Sequence, residues 1–317
     1  MNHSICLIVP YFGKLPSYIN LFLKSVEFNP TIDICFFTDD EVNIKSPNLM
    51  VIKSSLAEIK ARIEKVLGFK INLEKPYKLC DYRPVFGLAF ADYLKDYDFW
   101  GYCDIDLVFG DIRKFITSEI LDNYDKVYQH GHLTLNKNND EVNHEFMSSF
   151  GIDYKKVFTS NINFVFDELS GIQQKFDHDG FKTYKEFDFI DVNPWRYHIE
   201  RCMDVQHDTS FDYEHECFFW DEGHLYREAL VDKKIDQQEF LYFHFQKRQF
   251  NTPEDVLSSN CFYLTNDGCV VKQGPTAEND IEKYNVLSPE KDKELERKRK
   301  QYVLRRRINK YVFHRGG

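Results

Sequence analysis

The chain has 317 residues, of which 43% are hydrophobic and 16% aromatic, and its formal net charge at pH 7 is −10. This composition excludes disordered and fibrous classes and allows a substantial buried core, arranged as one large domain or two joined lobes. Eight cysteines with no CxxC pair, several of them inside apolar runs, read as reduced thiols rather than as a disulfide framework or zinc site. The apolar run 5–9 is short, lacks a cationic lead and is followed by Pro10, so neither a signal peptide nor a membrane span is expected.

In chain order, residues 5–10 predict a strand and 17–28 a helix with Ile19, Phe22, Leu23 and Val26 inward. Residues 33–37 predict a second strand closing on Thr38-Asp39-Asp40, 49–52 a short third one, and 56–67 a helix. Residues 78–93 read as a helix interrupted near Pro84, leading into a strand that begins at Phe99. This alternation implies a mostly parallel sheet with right-handed crossovers. Further on, 126–135, 161–166 and 239–245 resemble strands, and a polar, turn-rich stretch occupies 274–293.

The richest segment is Phe99-Trp100-Gly101-Tyr102-Cys103-Asp104-Ile105-Asp106, an apolar run that ends in two carboxylates spaced i, i+2. Alternate side chains of a strand share a face, so both carboxylates point the same way at the sheet's C-terminal edge, where open α/β sheets bind ligands. Such a pair can hold a hard divalent cation against a diphosphate. Asp96-Tyr97-Asp98 and Asp177-His178-Asp179 match the same spacing, but only Asp104 and Asp106 follow a run fit for a buried strand and precede another apolar stretch.

Charge is segregated. Residues 291–317 carry 11 Lys plus Arg against 3 Asp plus Glu, net +8, while residues 1–290 carry 30 against 48, net −18. Leu304, Ile308, Tyr311 and Val312 recur at helical spacing among Arg305, Arg306, Arg307 and Lys310, a pattern suited to a helix on an anionic membrane surface. A nucleic-acid partner is not expected, since the acidic body repels phosphates and no recognition motif accompanies the tail.

Together, Val9-Pro10-Tyr11-Phe12, Phe36-Phe37-Thr38-Asp39, Lys78-Leu79-Cys80-Asp81-Tyr82-Arg83 and the Trp100–Asp106 run resemble the GT-A-fold, nucleotide-sugar-dependent glycosyltransferases of bacterial capsule and surface-polysaccharide synthesis. Phe243-His244-Phe245-Gln246-Lys247 is similar to the late His-containing segment that completes the metal and diphosphate site in several such families. The resemblance implies a Rossmann-like, mostly parallel central sheet flanked by helices, a mixed acceptor-side lobe and a basic C-terminal helix. It implies a nucleotide-sugar-binding half at 1–115, an acceptor-binding half at 116–272, a polar linker at 273–290 and a basic amphipathic tail at 291–317.

The implied activity moves a hexose, such as galactose in pyranose or furanose form, from a nucleoside diphosphate, UDP above all, to a hydroxyl of a surface glycan or its lipid-linked precursor. The setting would be the cytoplasm, at the inner face of the cell membrane. Mn²⁺ or Mg²⁺ would be held by Asp104, Asp106 and His244, a hard oxygen set with one nitrogen. Pro10, Tyr11, Phe12, Asp39, Asp40, Lys78, Asp81, Arg83, Ile105 and Lys247 would contact the donor, Arg83 and Lys247 through phosphate or sugar. Alternatively, Arg83 and Asp81 pair with each other.

On the acceptor side, His130, His132, Asp221 and Glu222 are candidates, and Gly131 would permit close approach of a sugar. Asp167 or Glu168 would be the general base an inverting transfer needs, unless they merely cap a helix starting there. Trp195, Trp220 and Tyr226 are candidates for stacking on sugar rings. Two other classes use the same features: a metal-dependent phosphodiesterase or nucleotidyltransferase, and a non-catalytic nucleotide-sugar-binding protein.

Overall fold

The computed structural model describes residues 3–204, 209–210, 215–246, 248 and 250–313. They form two compact units: unit 1 is Met1–Leu107 with Asp111–Phe187, and unit 2 is Val108–Gly110 with Asp188–Gly317.

The strands of the first part of the chain are β1 (Ile5–Tyr11), β2 (Ile32–Thr38), β3 (Leu49–Lys53), β4 (Phe99–Cys103), β5 (Leu107–Phe109), β6 (Lys126–His130), β7 (Leu133–Lys137) and β8 (Thr183–Tyr184). All but β5 build the sheet of unit 1, in the order β3-β2-β1-β4-β7-β6-β8. β1, β2, β3 and β4 run parallel, β7 is antiparallel to β4 and to β6, and β8 is parallel to β6. The unbroken apolar runs of β1 and β4 suit this place, because parallel strands are covered on both faces. Helix Leu56–Leu67 is set by its ends: Ser55 and Glu58 form a reciprocal capping box, and Gly68 closes it in the left-handed conformation at φ 75°. Its Ile59 and Ile63 reach the core formed with Phe37, Phe86, Phe90 and Trp100.

From β1 the chain moves outward to β2 and β3, then returns to the other side of β1 as β4. The strand order reverses between β1 and β4, and in open α/β sheets ligands bind outside the carboxyl ends at such a point. Tyr11 and Phe12 lie at the end of β1, and Asp104 to Asp106 directly follow β4.

Three predicted elements of unit 1 differ. The segment 78–93 is a 3₁₀ helix, Pro76–Val85, followed by single turns Phe86–Ala89 and Ala91–Leu94, since Pro84 cannot donate to an α-helical ladder. The segment 126–135 is not one strand but the β6–β7 hairpin. Residues 161–166 form no strand, because the N–H groups of Phe164 and Phe166 donate to the buried Asp81 carboxylate instead of a neighbouring strand.

Unit 2 contributes β9 (Ile190–Asp191), β10 (Cys202–Asp204), β11 (Thr209–Ser210), β12 (Glu216–Asp221), β13 (His224–Val231), β14 (Lys234–Phe240), β15 (Tyr242–His244), β16 (Cys261–Thr265) and β17 (Gly268–Val271). An antiparallel sheet has the order β14-β13-β12-β16-β17, and a smaller one the order β5-β15-β9. The predicted strand 239–245 is thus two strands in two sheets, divided at Leu241. The expected linker 273–290 carries a helix, Glu278–Tyr284, whose Ile281 is buried with Cys217, Phe219 and Tyr263 and whose Tyr284 ring lies 4.0 Å from Tyr263. The basic helix Pro289–Phe313 is docked at its start: Asp292 accepts the Tyr197 N–H at 2.7 Å, and Lys291 Nζ lies 3.9 Å from the Tyr197 ring.

Candidate active site

Arg83 organises the end of β4. Its guanidinium donates to Asp167 Oδ2 and to the Gly131 carbonyl, each at 2.8 Å, and forms an ion pair with Asp104. The 3₁₀ helix Pro76–Val85 supplies Arg83, β4 leads into Asp104, the β6–β7 turn supplies Gly131, and the segment after 161 supplies Asp167. Arg83 does not pair with Asp81. The tight approach explains Gly131: a Cβ there would sit 2.6 Å from Asp167 Oδ2 and 3.1 Å from both Arg83 Nη1 and Glu168 Oε1. The lack of a side chain at Gly131 thus admits Arg83 and the two acids.

Asp167 is almost fully buried. Burial pushes its carboxyl up to about 6 against the lowering pull of Arg83, while Oδ1 has no hydrogen-bond partner among the described residues. A buried carboxyl with one oxygen held by Arg83, the other enclosed without a partner, and a raised pKa is a candidate functional group. Tyr102, whose hydroxyl donates to the Asp167 carbonyl at 3.2 Å, helps to place it.

Asp104 and Asp106 present carboxylate oxygens within 4.8 Å of each other. Burial, then the Asp106 charge, raises the phenols of Tyr11 and Tyr18. Hard oxygens at this spacing, with negative charge concentrated beside them, fit a divalent cation. In unit 2, His244 on β15 faces Asp191 on β9 in parallel register, with Nδ1 2.8 Å from the Asp191 carboxylate. Gln246, at φ 52°, donates to the same oxygen at 2.6 Å. A carboxylate on one ring nitrogen is how metal-binding histidines are oriented for ligation through the other. Asp191 was not foreseen; it lies 53 residues from His244, and only the strand pairing joins them.

Several predicted donor residues have internal roles. Lys78 and Asp81 are buried and paired at 2.6 Å. Lys78 also donates to the carbonyls of Val157 and Ile162, and Asp81 accepts from Phe164 and Phe166. They clamp the segment leading to Asp167 and are not exposed to a donor, which corrects the expectation. Breaking a buried pair leaves an uncompensated charge, so Lys78→Met is expected to lower stability by about 3–5 kcal/mol, read from urea denaturation. Asp39 and Asp40 accept from the N–H groups of Gly13 and Leu15, each at 2.8 Å, and so fix the loop after β1. Pro10 is the penultimate residue of β1, and Ile105 is buried between the two carboxylates. Lys247 lies outside the described residues.

His130 and His132 stack at 5.2 Å on either side of Gly131. Asp221 and Glu222 belong to unit 2, at the β12–β13 turn, where Glu222 adopts φ 47°. Asp167 and Glu168 precede helix Ile172–Asp179, whose N-cap is Gly171, so neither caps it by side chain. Trp220 is core rather than sugar-binding, since it is fully buried and donates to the Phe109 carbonyl at 2.8 Å. Tyr226 stacks on Phe219 at 5.1 Å, and Trp195 on Tyr302 at 5.5 Å.

No helix among the described residues is long and apolar enough to cross a membrane. Among solved structures, one likeness is to the apo form of the glycosyltransferase GlyE of Streptococcus pneumoniae TIGR4, with 12% identity and a TM-score of 0.32 over 58% of this chain and 46% of that one. The match spans less than half of that protein, and so distant a likeness assigns neither fold nor activity. No curated protein matches the sequence. Residues 7–273 match a family of unknown function, DUF6625, and the chain belongs to that family.

Proposed function

We propose that this protein is a metal-dependent glycosyltransferase of GT-A-like architecture. It would transfer a hexose from UDP to a hydroxyl of a surface glycan or lipid-linked precursor. The observation that carries the reading is the placement of Asp104 and Asp106 after β4, beside the β1–β4 switch point, with Arg83 and Asp167 gathered at the same strand end.

In this reading Asp104 and Asp106 would hold Mn²⁺ or Mg²⁺. A bound cation there neutralises charge that develops on the departing diphosphate. Tyr11 would line the nucleotide side and Asp39 and Asp40 brace the loop after β1, whereas Phe12, expected to contact the donor, is packed in the core with Cys6, Ile8 and Phe37. In an inverting transfer the acceptor oxygen bonds to the anomeric carbon, the bond from that carbon to the diphosphate oxygen breaks, and the hydroxyl proton passes to Asp167. Asp167 is preferred to Glu168 for its raised pKa, and this role requires that its enclosed carboxyl become accessible to the acceptor; His130 and His132 would border the acceptor. The basic tail would bring the enzyme to the inner face of the cell membrane.

The test is a thermal-shift panel of nucleotide sugars with and without Mn²⁺. A ligand at about 100 times its Kd adds about 2.7 kcal/mol of stability, a shift of several degrees. UDP-hexoses are expected to stabilise the protein only with the metal. Equal shifts with and without Mn²⁺, or none with any nucleotide sugar, would remove the reading.

A further inference from the structure

The loop 193–198 of unit 2 is fixed from within. The Arg248 guanidinium donates to the carbonyls of Tyr197 at 2.9 Å, Asn193 at 3.0 Å and His198 at 3.2 Å, and to that of Arg196. Asn266 donates to the Tyr197 carbonyl at 2.8 Å, and Asn193 Oδ1 accepts the Trp195 N–H at 3.0 Å. With its backbone held this way, the loop presents Trp195 and Arg196 to a cavity of about 520 Å³ whose other wall is the start of helix Pro289–Phe313.

Five cationic side chains line that cavity, Arg196, Lys293, Arg297, Arg299 and Lys300, against two carboxylates. Both carboxylates are engaged: Asp292 with the Tyr197 N–H at 2.7 Å, and Glu296 with Arg299 at 3.7 Å and Lys300 at 3.8 Å. Lys293 and Arg297, one helical turn apart, form no ion pair among the described residues, and like charges at that spacing repel. A cationic hollow in a chain of net charge −10 is a local feature, and it is complementary to phosphate. The Trp195–Tyr302 pair beside it suits the headgroup level of a bilayer, where amphipathic rings collect.

We propose that this cavity takes the phosphate of an anionic phospholipid and so seats the root of the basic helix on the membrane. The proposal rests on the membrane reading of the tail and goes beyond it, because it assigns part of the attraction to a preformed site in the body of unit 2.

The experiment is cosedimentation of the full chain with vesicles of phosphatidylglycerol and phosphatidylcholine. It compares wild type, Lys293→Gln/Arg297→Gln, and a chain ending at Leu304. Both substituted residues are exposed, so the double variant is expected to melt as wild type does. Its partition onto anionic vesicles should fall roughly thirtyfold, the combined effect of two basic residues at a charged surface. Wild type should ignore pure phosphatidylcholine, and millimolar inorganic phosphate should not displace it from the anionic vesicles. Full binding by the double variant with loss on truncation would overturn the cavity while sparing the tail, and full binding by both would overturn the two together. Displacement by inorganic phosphate, or preference for RNA over vesicles, would overturn the lipid assignment.

Discussion

Asp106→Ala is expected to reduce transfer by at least about 10³-fold and to abolish Mn²⁺-dependent UDP binding while leaving the melting temperature near wild type. The size follows from charge: a departing diphosphate without its cation loses several kcal/mol of stabilisation at the transition state. Asp106 is the cleaner test of the two carboxylates, since Asp104 is also an ion-pair partner of Arg83 and its removal leaves that guanidinium with Asp167 alone. Asp106 follows β4 and is only partly buried, so little packing is lost with it. Isothermal titration with UDP, with and without Mn²⁺, reads the binding, and product formation reads the transfer. Near-normal activity of the variant, or wild-type activity undiminished by excess chelator, would remove the metal from the mechanism.

The parallel half of the sheet was legible because parallel strands declare themselves: the residues of β1 and β4 are continuous apolar runs, and the chain between them alternates with helical periodicity. Asp104 and Asp106 were legible for the same reason, as polar residues at the end of such a run. What failed was tertiary. Lys78 and Asp81 share a short motif with Arg83, and nothing local distinguishes two side chains turned inward onto the backbone around 157–166 from one turned toward Asp104 and Asp167. The same Asp81 carboxylate takes the N–H groups that a strand at 161–166 would have offered to a neighbour. Asp191 carries no motif and becomes visible only through the pairing of β9 with β15. The stretch 274–293 looks polar because Ile281 and Tyr284 are the apolar side chains it packs on the core, and a two-turn helix with so few apolar residues does not stand out from a linker.

Asp167→Asn is expected to lower turnover by about 10²- to 10⁴-fold, the usual contribution of a general base, while binding of UDP changes little. The pH dependence separates this role from a structural one. Burial, opposed by Arg83, raises the Asp167 carboxyl from 3.8 to about 6, so the folded protein holds a proton that the unfolded chain releases at lower pH. Its contribution to stability is therefore complete below about pH 4 and is lost as pH rises through about 6. Catalysis runs the other way, because the base must be ionised: turnover should rise as pH climbs through about 6 while the melting temperature falls over the same interval. Asparagine keeps the shape and cannot titrate, so the variant should lose both the acid limb of the rate profile and this component of the melting curve. Rate profiles and thermal melts of the two proteins from pH 4.5 to 8 decide it. An acid limb that survives in Asp167→Asn would transfer the titration to another group, and turnover within about threefold of wild type would exclude Asp167 as the base.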